Sequence, residues 1–314
     1  MRVFVAGATG AVGRRLVPLL LRAGHAVVGT TRSEAKAGAL RAAGAEPVVA
    51  DALNCAAVVR AVAAAAPDIV VHELTALASF ADLRHFDREF AATNRLRTEG
   101  TDILIAAARA AGVCRIVAQS FAGWPYAREG AMVKSEDDRL DPDPPAQFRR
   151  TVEAIRHLEN AVLAGHGFAG TVLRYGALYG PGTSFAVGGQ FVEAIRSRRF
   201  PIIGAGTGVW SFIHIDDAAS ATLAAIDRAA SGLFNVADDE PATVREWLPF
   251  LAAAIGAAPP RHLPAWLGRL LVGRIGLAMM NEVRGASNAK AKRELGWQPR
   301  YPNWREGFRS GLAG

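Results

Sequence analysis

The chain reads as an α/β protein built on a doubly wound parallel sheet. Three observations predict this. Short apolar runs recur through residues 1–176, stretches with apolar residues at helical spacing separate them, and the two kinds alternate one for one. That alternation is the mark of buried parallel strands covered by helices on both faces.

The opening stretch accounts for the first elements. Arg2 to Ala6 is a buried strand, Gly7-Ala8-Thr9-Gly10-Ala11-Val12-Gly13 a tight turn, and Leu16, Leu19 and Leu20 one face of a helix that ends at Gly24. His25 to Thr30 is the second strand. In such a turn Gly7 supplies backbone angles closed to other residues, Gly10 lets a pyrophosphate approach, and Gly13 lets helix and strand pack closely. The N–H groups that open the helix then face the phosphates. Gly7, Thr9, Gly10, Ala11, Val12 and Gly13 are therefore expected to hold a dinucleotide. An acid at the end of the second strand would accept from a ribose 2′-hydroxyl, whereas an arginine accommodates a 2′-phosphate. Thr30-Thr31-Arg32-Ser33, with Lys36 a turn further on, predicts NADP (NADPH) rather than NAD, with Thr31 and Arg32 beside the phosphate.

The rhythm continues. Glu34 to Gly44 is a short helix, and Glu46 to Asp51 a third strand ending in an acid. Asn54 to Ala66 is helical, and Asp68 to His72 is the fourth strand. Phe86 to Gly112 reads as one long helix carrying Asn94, and Arg115 to Ser120 as the fifth strand. Gly123 to Phe148, with its Asp/Pro-rich centre, is a long polar loop, functional or mobile. Gln147 to Leu163 is the next helix and Thr171 to Tyr175 the sixth strand. These make a Rossmann-type domain over residues 1–176, with 208–240 returning to it. Residues 177–207 and 241–314, opened by glycine-rich turns, form a smaller C-terminal substrate lobe. Ligands of such sheets lie beyond the carboxyl ends of the strands, which points to Asp51, His72 to Leu77 and Ser120 to Tyr126.

The 314 residues suffice for one large α/β unit with a second lobe. No secretory signal precedes the first strand, and Leu263 to Met280 is broken by Arg269 and Arg274, so no membrane span is expected. Cys55 and Cys114 are spaced for neither a metal site nor a disulfide framework, which suits a reducing cytoplasm. The net charge of +7 comes from arginines scattered among acids, including Arg84, Arg88, Arg95, Arg97 and Arg149. Nucleic acid would need these clustered. Attraction of an anionic cofactor is the simpler reading.

With these elements placed, the chain resembles the extended short-chain dehydrogenase/reductase family, the NAD(P)-dependent epimerase/dehydratase group. The landmarks are Gly7 to Gly13, Asp51, Val71-His72 with Thr75 and Ala76, Asn94 before Glu99-Gly100-Thr101, Leu178-Tyr179-Gly180-Pro181-Gly182, Phe212 to Ala218, Phe234-Asn235-Val236 and Glu294 to Pro299. The resemblance implies that Asp51 and Ala52 meet the adenine and that Leu74, Thr75 and Ala76 meet the diphosphate-ribose region. It implies Asn94 behind the site; Tyr175, which ends the sixth strand, is also expected to contact the cofactor. It also implies a homodimer through the helix around Asn94 and the helix after Gln147. Asp51 could instead cap the next helix, and His214 with Asp216-Asp217 is read as structural, with Asp216 the helix cap.

The chain departs from that family at its chemistry. Members that move hydride carry a tyrosine and, four residues later, a lysine, which together lower the phenol from a pKa of about 10 for acid-base work near neutrality. No Tyr-x-x-x-Lys occurs in this sequence; Thr151 and Ile155 stand in those places, and Phe121 stands where a strand-five hydroxyl usually points. Ser120 and Tyr126 are the expected replacement catalytic pair, with Tyr175, His72 and Glu73 as other candidates. Phe121, Trp124, Phe185, Phe191, Trp210, Trp266, Leu267, Met279 and Met280 suggest a hydrophobic or aromatic substrate. The reading is an NADP(H)-dependent reductase of a carbonyl or enone. The alternatives are a redox-neutral epimerase, isomerase or cyclase, and a non-enzymatic NADP-binding sensor.

Overall fold

The computed structural model describes residues 1–77, 85–165 and 167–313. Seven parallel strands form the central sheet: β1 (Arg2–Ala6), β2 (Ala26–Thr31), β3 (Glu46–Val49), β4 (Ile69–His72), β5 (Arg115–Phe121), β6 (Ala169–Tyr175) and β7 (Gly232–Val236). Their order is β7-β6-β5-β4-β1-β2-β3. The chain winds outward from β1, then reverses and continues on the other side through β4. Ligands bind outside the strand ends at such a reversal. Here Ala6 and His72 are paired in register at that point.

Strand alternation divides the core in two. Val3, Val5 and Val71 pack with Leu16 and Leu20 of α1 (Gly13–Arg22), while Phe4, Val70 and Ile116 pack with Val62 of the Cys55–Ala65 helix. A helix over Ala146–Leu163, here α2, closes the second face through Leu158 and Val162. A third cluster contains Tyr179, Phe212, Trp247, Trp304 and Phe308. No helix among the described residues is long and apolar enough to cross a membrane.

Three local expectations are corrected. The stretch after Phe86 is not one helix: Phe86–Glu89 and Ala91–Arg95 are short helical segments, Leu96–Gly100 is a π-helical turn, and a regular helix over Thr101–Ala110 follows. Such a turn adds a residue to the helix and recurs at functional sites. The Gly123 to Phe148 loop is tied down, because Val133–Lys134 pairs in parallel with Gly285–Ala286 and Tyr126 bridges Leu140. The helix Ile215–Asp227 is capped by His214, whose Nδ1 accepts from the Asp216 N–H at 3.2 Å, and not by Asp216. Buried Asp217 accepts the N–H groups of Arg300 and Tyr301 at 2.7 and 3.0 Å. His214 Nε2 lies 3.0 Å from the Gly311 carbonyl, so a neutral imidazole serves both bonds.

Gly170 measures how closely α2 lies on the sheet. A Cβ there would stand 1.9 Å from the Val162 carbonyl oxygen. Gly170→Ala should cost about 3 kcal/mol through forced backbone displacement. Urea unfolding of the variant beside the parent protein checks this.

Candidate active site

The glycine turn fits a dinucleotide. Gly7 has φ +93°, and a side chain there would meet the Glu73 carbonyl oxygen at 2.6 Å; one at Gly13 would meet the Gly7 oxygen at 2.3 Å. The start of α1 carries no side-chain cap and no acid in its first turn, leaving its amides and positive dipole end for an anion. The Thr9 and Thr31 hydroxyls lie 3.3 Å apart, and the Ser33 N–H donates to Thr31 at 3.2 Å, which ties the turn to the end of β2. Arg32 is exposed beside them. Asp51 does not cap the next helix; Asn54 does, its side chain accepting from the Ala57 N–H at 3.1 Å, while the Asp51 carboxylate accepts from the Leu53 N–H at 3.0 Å. Leu74, Thr75 and Ala76 follow β4, and the Ala76 N–H donates to Thr93 at 3.1 Å. The turn, the Thr31-Arg32 and Asp51-Ala52 strand ends and the Leu74 to Ala76 segment thus share the carboxyl edge of the sheet.

The expected catalytic pair lies elsewhere. Ser120 is buried and donates to Glu159 of α2 at 2.7 Å. Tyr126 is 1 % exposed and donates to the Asn235 side chain at 2.5 Å, with the Arg174 guanidinium 5.0 Å from its ring centre. Burial pushes the Tyr126 phenol above its ordinary value, the opposite of what an acid working near neutrality needs. The reason is strand alternation: Ser120 turns toward α2, while its neighbour Phe121 turns toward a cavity of ≈ 20 Å³ lined also by Trp124, Trp210, Met279 and Val283. Of the expected apolar wall these converge. Phe185 and Met280 belong instead to the third hydrophobic cluster, and Trp266 is 68 % exposed.

Thr151 and Ile155 are buried in α2. The Thr151 hydroxyl donates to Asp87 at 2.5 Å and accepts from the Asn94 amide at 2.9 Å, so Asn94 is turned to α2, with its Oδ1 unpartnered. Tyr175 is also corrected. It is buried under the sheet edge, 2.9 Å from Glu73 and 2.6 Å from Thr222.

The Thr222 hydroxyl donates to the Ala218 carbonyl at 2.8 Å, and the Tyr175 hydroxyl donates to Glu73. Burial, opposed by the Tyr175 bond, pushes the Glu73 pKa up to about 8. His72, paired with Thr101 at 3.1 Å, is pushed down to about 4 by burial and stays neutral.

Arg97 was grouped above with the scattered surface arginines, and it is buried. It lies in the π-helical turn, and its guanidinium carbon is 6.0 Å from the centre of the Phe90 ring. Little in the sequence signals this: Thr93, Arg97, Gly100, Thr101 and Leu104 are buried at helical spacing, but of these only Leu104 is a large apolar residue.

The model of the NAD dependent epimerase/dehydratase family matches residues 3–237. The chain belongs to that family. It is an enzyme, an NAD(P)-dependent oxidoreductase or epimerase by that membership, and its likeness to named reductases supports the former. A 3-diazoavenalumate denitrifying reductase of a Streptomyces species is 46% identical over 309 residues, covering 98% of this chain and 99% of that protein. A 4-hydroxy-2-methyl-3-oxo-4-farnesyl-3,4-dihydroquinoline-1-oxide ketoreductase of Stigmatella aurantiaca is 28% identical, over 96% and 92% of the two chains. The UDP-glucose 4-epimerase of Thermotoga maritima shares the fold with a TM-score of 0.76 at 23% identity, over 99% and 97% of the two chains.

Glu73 sets a pH dependence. Its folded pKa of about 8 lies above its ordinary value of 4.5, so the folded state holds the extra proton between those values. Stability therefore falls as pH rises through that window, by up to about 1.4 kcal/mol per pH unit, and levels off above it. Glu73→Gln should flatten this slope and raise the melting temperature most at pH 8 to 9. Thermal melts from pH 5 to 9 check it.

Proposed function

We propose that this chain is an NADPH-dependent reductase that transfers hydride to an aromatic substrate activated as an arenediazonium, with release of dinitrogen. The observation that carries the reading is the strand-five end. Phe121 and Trp124 face the cavity, Thr151 is committed to Asp87 and Asn94, and Ile155 offers no charge. Reducing a carbonyl leaves an alkoxide that needs a proton. An arenediazonium cation plus hydride gives the arene and dinitrogen, with charge balanced and no proton required. The full-length likeness to a denitrifying reductase named for a diazo compound supports the same acceptor. Carbonyl or enone reduction is the second reading, favoured by the ketoreductase relative, and would draw its proton from water.

Gly7, Thr9, Gly10, Ala11, Val12 and Gly13 would hold the diphosphate, Asp51 and Ala52 the adenine, Leu74 to Ala76 the ribose side, and Thr31 with Arg32 the 2′-phosphate. Bound NADPH supplies the hydride. The protein's part is to exclude water with Phe121, Trp124, Trp210 and Met279 and to fix the aromatic acceptor beside the carboxyl ends of β4 and β5. Residues 177–207 and 241–314 would serve as the substrate lobe.

Incubation with NADPH and a diazotised aminocinnamate tests this. NADPH loss matched one for one by dinitrogen and arene is the expected result; absence of NADPH loss, with turnover of ketones instead, would overturn it. Arg32→Ala should weaken NADPH binding about tenfold or more, equivalent to about 1.4 kcal/mol, and leave NADH binding unchanged.

A further inference from the structure

Among the described residues Arg97 is a buried cation without a paired anion. It is 7 % exposed, and its Nη1 is enclosed with no hydrogen-bond partner. The one carboxylate that acts on it, Glu159, is already held by Arg174 at 2.6 and 2.7 Å and by Ser120 at 2.7 Å. His72, also within its field, is neutral. Among the described residues Arg97 forms no salt bridge. Removing a charge from water without pairing it is costly, so this arrangement does not serve stability.

Its direction matters as much as its isolation. Helical side chains lean toward the helix N-terminus, and this helix begins at the carboxyl edge of the sheet. Arg97 follows that lean and reaches back two turns to Phe90. The Phe90 ring packs at 4.3 Å on Phe86 and at 6.4 Å on Trp124, and Trp124 lines the cavity. A guanidinium beside aromatic walls is suited to an aromatic acid, taking the carboxylate by paired N–H donors while the rings take the arene.

We propose that Arg97 is the specificity-determining cation of the substrate site and binds the carboxylate of an aromatic acid. This rests on the reductase reading for what the site does, but not for how the acid is held. It narrows the substrate class to aromatic acids over neutral aromatics.

The test uses the full chain and two probes of one shape, cinnamate and cinnamamide, with binding read by quenching of tryptophan fluorescence. Cinnamate should bind at least tenfold more tightly. Arg97→Met should erase the preference while melting at or above the parent temperature, and Arg97→Lys should keep part of it. Equal affinities in the parent protein, or a preference that survives in Arg97→Met, overturns the proposal. Should Arg97→Met not fold, the parent comparison and Arg97→Lys decide. NADPH binding, read separately by nicotinamide fluorescence, distinguishes the two readings. An acid preference lost in Arg97→Met with no NADPH binding supports the anion site and removes the reductase. NADPH binding without an acid preference overturns the anion site alone.

Discussion

The site is built around the buried ion pair of Arg174 and Glu159. Two bonds of 2.7 and 2.6 Å join β6 to α2, and both side chains are almost wholly enclosed. A buried pair need not add stability over an apolar equivalent, but removing one partner strands the other charge. Here the pair also takes the Ser120 hydroxyl and lies against the Tyr126 ring, which in turn donates to Asn235. It therefore fixes β5, the following loop and β7 with respect to one another. With Ser120 drawn inward, strand geometry turns Phe121 outward to the cavity.

The same pair explains two features that look unrelated. Ser120 and Tyr126 are taken up as structural polar groups, so the strand-five end is left apolar. Glu159 is also used up, so Arg97 has no carboxylate partner among the described residues. An apolar end without an acid and a solitary cation behind aromatic rings belong together if the acceptor is an aromatic acid whose reduction consumes no proton.

Much of the fold was legible because it rests on periodicity. Strands of alternating or continuous apolar residues and helices with an apolar stripe identify themselves, and the spacing of Gly7, Gly10 and Gly13 identifies the turn. The site was less legible because its assignments depend on partners distant in sequence. Whether Ser120 or Phe121 faces the cleft is a one-residue question of strand phase, settled by Glu159 at 39 residues' separation. Tyr175 is removed from the cleft by Glu73 and Thr222, and capping by His214 depends on its contact with Gly311. Arg97 sits among small and polar residues in the sequence, and its burial and isolation depend on where Glu159 and Arg174 go.

Hydride transfer without a protein acid is the central claim, and single-turnover NADPH oxidation in H₂O and D₂O tests it most directly. With an arenediazonium carboxylate as acceptor, the rate should show a solvent isotope effect of about 1 and stay flat from about pH 6 to 9, because no proton moves in the step. An effect of about 2 or more, or a rate that titrates within that range, would contradict it and point to a proton donor in the site.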